Sequence, residues 1–156
     1  MNGVAAVPDG YPYVAIHDGA RPIVTPDTIS HAINVLKGNF DADGVFVGHP
    51  TIDTMKVIDG DVVVGTPDRS MFWIAQTPQV FHHEICEAAY TTALAEGFVG
   101  TDDSSLVERV GGRIMLVECP RDNIKVTVPE DIGPATAALE RRLMADNPSF
   151  TPRSEL

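Results

Sequence analysis

An α/β layered fold with a mostly parallel sheet is what this sequence predicts, and three observations carry it. Short apolar runs rich in β-branched residues alternate along the chain with capped, amphipathic helical segments. The polar clusters fall just after the apolar runs, where ligands collect on such sheets. The 156 residues suit one domain with one sizeable core.

The opening, Met1 to Pro12, is small, apolar and then turn-like, closing through Pro8-Asp9-Gly10. Tyr13-Val14-Ala15-Ile16 reads as a buried strand that delivers His17-Asp18-Gly19-Ala20-Arg21-Pro22 to its C-terminal end. Thr25-Pro26-Asp27 is a helix start, with Thr as N-cap, Pro at the first helical position and Asp at the positive end of the dipole. Ile29, Ile33 and Leu36 share a face of that helix, and Gly38 is placed to end it. Gly44 to Gly48 is a second buried strand.

The stretch from Pro50 to about Met71 differs in character. Thr54 to Ile58 and Val62 to Val64 flank Asp59-Gly60-Asp61, a strong hairpin signal. An isolated hairpin is marginal in water, so this arm is expected to pack on something else, a second subunit for example. Met71 to Ala75 resumes the sheet, and Gln76-Thr77-Pro78-Gln79 reads as a Pro-containing turn behind it.

His82 to Glu96 is a predicted helix with Ile85, Ala88, Ala89, Thr92 and Leu94 near one face and Gly97 at its end. Thr101 to Ser105 caps a short helix running to Val110. Arg113 to Glu118 is a strand, and Ile124 to Thr127 is a candidate for another. Pro129-Glu130-Asp131 starts a final helix to about Met144, acidic first and basic last through Arg141 and Arg142. One domain is thus expected over 1–146, followed by a flexible tail over 147–156.

Composition narrows the function classes. Twenty-two acidic residues against 11 basic ones give a net charge of −11, a surface that repels polyphosphate backbones and speaks against nucleic acid. No apolar run reaches the length of a membrane span and no basic-then-apolar leader is present, so the cytoplasm is the expected compartment. Cys86 and Cys119 have no metal-ligand spacing and read as two buried thiols.

Asp18 is the sharpest candidate for chemistry. A carboxylate at a strand end, followed by Gly19 and Arg21, can hold a divalent cation or can cap a turn and pair with Arg21. Asp122-Asn123-Ile124-Lys125 combines a hard-cation ligand with a cation for phosphoryl charge, or is an ordinary polar turn. Thr54 and Arg69 lie at the root of the arm, Thr77 in the predicted turn and Thr101 beside a cap.

Taken in order, His17-Asp18-Gly19-Ala20-Arg21-Pro22, Asp53-Thr54-Met55-Lys56, Gln76-Thr77-Pro78-Gln79-Val80-Phe81, Thr101-Asp102-Asp103-Ser104-Ser105 and Asp122-Asn123-Ile124-Lys125-Val126-Thr127 closely resemble the 2-C-methyl-D-erythritol 4-phosphate cytidylyltransferases of the non-mevalonate isoprenoid pathway. The resemblance runs from about Tyr13 to the final helix. It implies a Rossmann-like, glycosyltransferase-A-like nucleotidyltransferase fold, and transfer of CMP from CTP to methylerythritol phosphate with magnesium. It further implies that Asp18 binds the metal, Gly19 approaches the nucleotide and Arg21 organises the phosphate side. Asp122 would orient substrate or metal, and Lys125 would stabilise charge at the α-phosphate. Thr77 and Thr101 would contact the sugar phosphate. The arm would cross to a partner in a homodimer, delivering Thr54 and Arg69.

The family's opening strand and Gly-rich, Arg- and Lys-containing loop have no match in Met1 to Pro12, and no lysine or arginine precedes Arg21. The chain therefore reads as the C-terminal portion of such an enzyme, expected to be inactive alone. A ribitol 5-phosphate cytidylyltransferase is the sister alternative, against which Lys56 after Asp53-Thr54 argues. A non-catalytic dimerising or substrate-binding remnant is the alternative of a different class.

Overall fold

The computed structural model describes residues 3–147 and Ser149. After a 3-10 turn at Val4–Ala6, the chain forms β1 (Tyr13–Ile16), α1 (Pro26–Gly38), β2 (Gly44–Pro50), β3 (Val57–Asp59), β4 (Val62–Gly65) and β5 (Trp73–His82). Then come α2 (His83–Glu96), α3 (Asp103–Arg109), β6 (Ile114–Glu118) and α4 (Ile132–Asp146), the last introduced by a 3-10 turn at Pro129–Asp131.

The main sheet has the order β1-β5-β2-β6 and is mixed, which corrects the expectation of a mostly parallel one. Strand β5 runs antiparallel to both β1 and β2, and only β2 and β6 are parallel. The cause lies in the connection. No helix crosses over between β2 and β5; the chain leaves as the arm and comes straight back, so the returning strand pairs antiparallel. β1, β2 and β6 consequently end on the same edge of the sheet at which β5 begins.

Helices cover both faces. On one side α1 packs Ala32 and Leu36 against Val45, Val47, Val80 and Val117. On the other, α2 and α3 bring Cys86, Ala89, Ala93, Leu106 and Val107 onto Phe81. Adjacent Val80 and Phe81 point to opposite faces, as the two-residue period of a strand requires. Gly44, paired with Phe81 on β5, makes room for the ring: a Cβ there would stand 2.4 Å from Phe81 Cδ1.

The start of α1 follows the sequence reading, with Thr25 accepting the Thr28 amide at its N-cap. Gly97 ends α2 in the left-handed region, at φ +64°. The buried face of α2 is rotated from expectation. Cys86, Ala89 and Ala93 are buried, with Ile85 and Tyr90 packed against the same cluster, while Ala88 and Leu94 face solvent.

Three further expectations change. Gln76 to Gln79 is not a turn but part of β5, with a register shift in which Phe46 pairs Gln79 and Val47 pairs Gln76. Pro78, which has no N–H to give, sits in that bulge. Ile124–Thr127 forms no strand; a single backbone bond, Val126 N–H to Ala20 O at 2.8 Å, ties it to the loop after β1. Strand β1 is an edge strand of the described sheet and only half-buried rather than fully so.

β3 and β4 form the arm. Asp59 pairs with Val62 across Gly60-Asp61, with Gly60 at φ +56°, as the turn signal predicted. Val57, Ile58, Val62, Val63 and Val64 are all exposed. The tail expected over 147–156 lies outside the described residues apart from Asn147 and Ser149.

Candidate active site

The sheet edge that gathers the ends of β1, β2 and β6 carries a cleft of about 590 Å³. Its floor is Gln76, Thr77 and Gln79 of β5. One wall is the loop after β1 with Asp18 and Arg21, joined by Lys125 from the loop after β6. The other wall is the C-terminal part of α2 and the residues leading into α3, among them Tyr90, Thr101 and Asp102.

Asp18 is the electrostatic centre. Its Oδ1 lies 3.1 Å from Lys125 Nζ and its Oδ2 lies 3.1 Å from Arg21 Nε. Burial favours the neutral acid, but the bonds and charges of Lys125 and Arg21 outweigh it, and the carboxyl is held below its ordinary range. The Asp18 amide donates to Thr77 Oγ1 at 2.9 Å, and the Thr77 hydroxyl in turn lies 3.0 Å from His17 Nδ1. β1 and β5 pair Ile16 with Gln79, which carries the next residues of β1 toward Thr77.

Behind these groups stands a buried amide network. Asn123 Nδ2 donates to Gln76 Oε1 and to the Thr77 carbonyl, each at 3.0 Å. Cys119 Sγ also donates to Gln76 Oε1, at 3.3 Å. The Asn123 carbonyl accepts from Arg21 Nη1 at 2.8 Å, so one residue fixes both the floor and the cationic wall. Opposite, Gln79 Nε2 donates to Asp102 Oδ2 at 2.9 Å and Gln79 Oε1 accepts the Ser104 amide at 2.8 Å. Asp102 caps α3 in a capping box with Ser105. Burial raises its carboxyl, but the bonds from Gln79, Ser104 and Ser105 outweigh that and hold it low. Tyr90 donates to Asp103, and burial together with that bond pushes the phenol up.

Of the residues singled out from sequence, Asp18, Arg21, Thr77, Thr101 and Lys125 line one cleft. Gly19 neighbours it without lining it. Asp122 does not line it: its carboxylate is turned to Arg142 of α4, at 2.5 Å from Nη2 and 3.2 Å from Nε. Thr54 and Arg69 stay with the arm, where Arg69 Nη1 donates to the Ile52 carbonyl at 2.9 Å. Gln76, Gln79, Tyr90, Asp102 and Asn123 were not picked out. Four of these lay inside the motifs, but their importance comes from partners 23 to 102 residues away. Tyr90 had no signal at all.

The thiols are not part of this chemistry. Both are free and buried; burial first, then the charge of Asp103, pushes Cys86 up to about 12. Among the described residues no group of three or more His, Cys, Asp or Glu stands ready for a metal ion. The Asp18 carboxylate, each oxygen of which carries one bond from a cation, keeps further lone pairs of the hard oxygen type that a magnesium ion takes. Among the described residues no helix is long and apolar enough to cross a membrane.

Comparison with known proteins bears on this site. A sequence model of the 2-C-methyl-D-erythritol 4-phosphate cytidylyltransferase family matches residues 1–141. The protein of that name from Caldanaerobacter subterraneus subsp. tengcongensis is 48% identical over 141 residues, covering 90% of this chain and 61% of the relative. The one from Geobacter metallireducens is 40% identical over 146 residues, covering 92% and 62%. In structure the chain is similar to 4-diphosphocytidyl-2C-methyl-D-erythritol synthase from Anaerococcus prevotii, with TM-score 0.82 and 35% identity, over 90% of this chain and 64% of that one. The chain spans about three fifths of the length of the curated relatives it matches.

Proposed function

The chain belongs to the 2-C-methyl-D-erythritol 4-phosphate cytidylyltransferase family, and from that membership we propose that its cleft is the sugar-phosphate side of a site that transfers CMP from CTP to 2-C-methyl-D-erythritol 4-phosphate, releasing pyrophosphate, in isoprenoid-precursor synthesis in the cytoplasm. The observation that carries the reading is the Asp18 carboxylate held between Lys125 and Arg21 at the cleft.

In such a transfer a phosphate oxygen of the sugar attacks the α-phosphorus in line, the bond to the pyrophosphate oxygen breaks, and negative charge spreads over the equatorial oxygens. Positioning and charge neutralisation then carry the rate. Lys125 keeps its ammonium at the cleft surface, where it can turn from Asp18 to the α-phosphate. Arg21, whose Nε and Nη1 are held by Asp18 and the Asn123 carbonyl, brings a permanent positive charge to the phosphate side of the cleft. Thr77 and Thr101 supply hydroxyls toward the sugar phosphate, and Gly19 leaves room for the nucleotide. Asp18 is the carboxylate that would hold magnesium, which when bound supplies further neutralisation of the triphosphate. The exposed apolar arm suits a homodimer in which Thr54 and Arg69 reach the partner's cleft.

The test is pyrophosphate release from CTP, with methylerythritol phosphate and with ribitol 5-phosphate as acceptors. It is run on this chain and on a chimera that adds the N-terminal part of the Caldanaerobacter relative. Turnover of methylerythritol phosphate by the chimera, and none by the chain alone, is the expected result. A preference for ribitol 5-phosphate would overturn the substrate assignment. Substrate binding by the chimera without any turnover would leave the chain a binding module.

A further inference from the structure

Asp18 and Lys125 have to stay at one cleft for the proposed chemistry, yet they ride on two loops that no strand pairing joins. One is the loop between β1 and α1, the other the loop between β6 and α4. On the cleft side they meet through Lys125 and Asp18, through Arg21 and the Asn123 carbonyl, and through the single backbone bond from Val126 to Ala20.

Arg142 touches both loops from behind. Its Nε and Nη2 donate to the two oxygens of Asp122, at 3.2 and 2.5 Å, and its Nη1 donates to the carbonyl of Ile23. Ile23 is buried at the end of the loop that bears Asp18 and Arg21, and Asp122 precedes Asn123 in the other. A guanidinium can do this because it is planar, permanently charged and has donors on three nitrogens; a lysine has one point charge. Helix α4 buries only Ala135 and Ala138 otherwise, so apolar packing alone gives it a weak hold on these loops. Both partners are about three-quarters shielded, which favours a persistent pair over a fluctuating surface one.

From this geometry we infer that Arg142 is a positioning residue, clamping the loop of Asp18 and Arg21 to the loop of Lys125 with Asp122 as its receptor. The inference rests on the reading of Asp18, Arg21 and Lys125 as the phosphate-handling group. It also gives Asp122 a different task from the one expected of it: it acts through Arg142, and touches no substrate.

Residue-resolved amide hydrogen exchange by NMR on this chain, without substrate, tests the clamp. Arg142→Met, which removes the bonds to both Asp122 and Ile23, and Asp122→Asn, which removes the charge of the pair, should each speed exchange of the Val126 and Asp18 amides by about tenfold or more. The amides of β2 and β5 should keep their wild-type rates. The double variant should exchange no faster than Arg142→Met, because that variant already removes both the Asp122 pair and the bond to Ile23. Asp122→Glu, which keeps a carboxylate, should restore most of the protection. Unchanged exchange at Val126 and Asp18 would overturn the proposal. So would an equal rise throughout the sheet, since that reports general loss of stability. Where Arg142→Met does not fold, Asp122→Asn alone decides between the same outcomes. No substrate enters this measurement, so a failed clamp shows here, whereas a failed transfer reading shows as absent turnover with the clamp intact.

Discussion

Lys125 Nζ lies 3.1 Å from Asp18 Oδ1, although 107 residues separate the two in the chain. The pairing leaves the lysine side chain 44% exposed at the cleft, so the ammonium can exchange its carboxylate partner for a phosphate oxygen. Lys125→Met should lower kcat in the chimera by roughly 10²–10³, the usual cost of losing one preorganised charge-stabilising group. The thermal midpoint should move by only a few degrees, since a half-exposed ion pair contributes little to stability. An unchanged kcat would remove Lys125 from the chemistry.

Asp102 predicts a pH dependence of stability. Its folded carboxyl is held below the ordinary value because the bonds from Gln79, Ser104 and Ser105 outweigh burial. A depressed folded value means that the unfolded chain takes up the proton first as the solution is acidified. The contribution of Asp102 is therefore complete above the unfolded value, near 4, and is lost as pH falls through the folded value. Asp102→Asn should flatten that acid limb in urea titrations between neutral pH and pH 3. Asp102→Ala should cost about 1–2 kcal/mol at neutral pH through the lost cap of α3.

Asn123 is 2% exposed, and its Nδ2 serves two acceptors on β5. Asn123→Ala removes the donor to the Thr77 carbonyl and deprives Gln76 of one of its partners. A loss of about 1–3 kcal/mol in equilibrium unfolding is expected, which is the cost of unsatisfied buried groups. A loss below about 0.5 kcal/mol would mean that water replaces the amide.

Val62 and Val64 are 64% and 59% exposed on the arm, with the two-residue spacing that puts them on one face of β4. If the arm joins two copies, sedimentation of the wild-type chain should show a dimer. The Val62→Lys, Val64→Lys double variant should sediment as a monomer with unchanged far-UV circular dichroism. A monomeric wild type at tens of micromolar would remove the arm-mediated dimer.

Much of this architecture was legible because it rests on local chemistry. The Thr25-Pro26 start of α1, the Gly97 end of α2, the Gly60 turn of the arm and the Asp102 cap of α3 are set by steric and hydrogen-bonding preferences within a few residues. The five ordered motifs were legible too, and five of the residues picked from them line the cleft: Asp18, Arg21, Thr77, Thr101 and Lys125. What the motifs did not carry was direction. Gln76 to Gln79 looked like a turn because Pro78 breaks local patterns, yet the pairing of Gln76 and Gln79 with β2, and of Gln79 with β1, draws it into β5 around a bulge.

The sequence by itself determined the α/β class, most helix boundaries, the arm and the family, since each depends on residue type and short spacing. Only the tertiary structure decided that β5 runs against its neighbours, that Asp122 faces Arg142 rather than the cleft, and that Asn123 and Gln79 support its floor and wall. Those choices turn on which donors and acceptors meet across tens of residues. A buried polar group has to find a partner wherever the packed chain supplies one, and sequence spacing does not reveal where that will be.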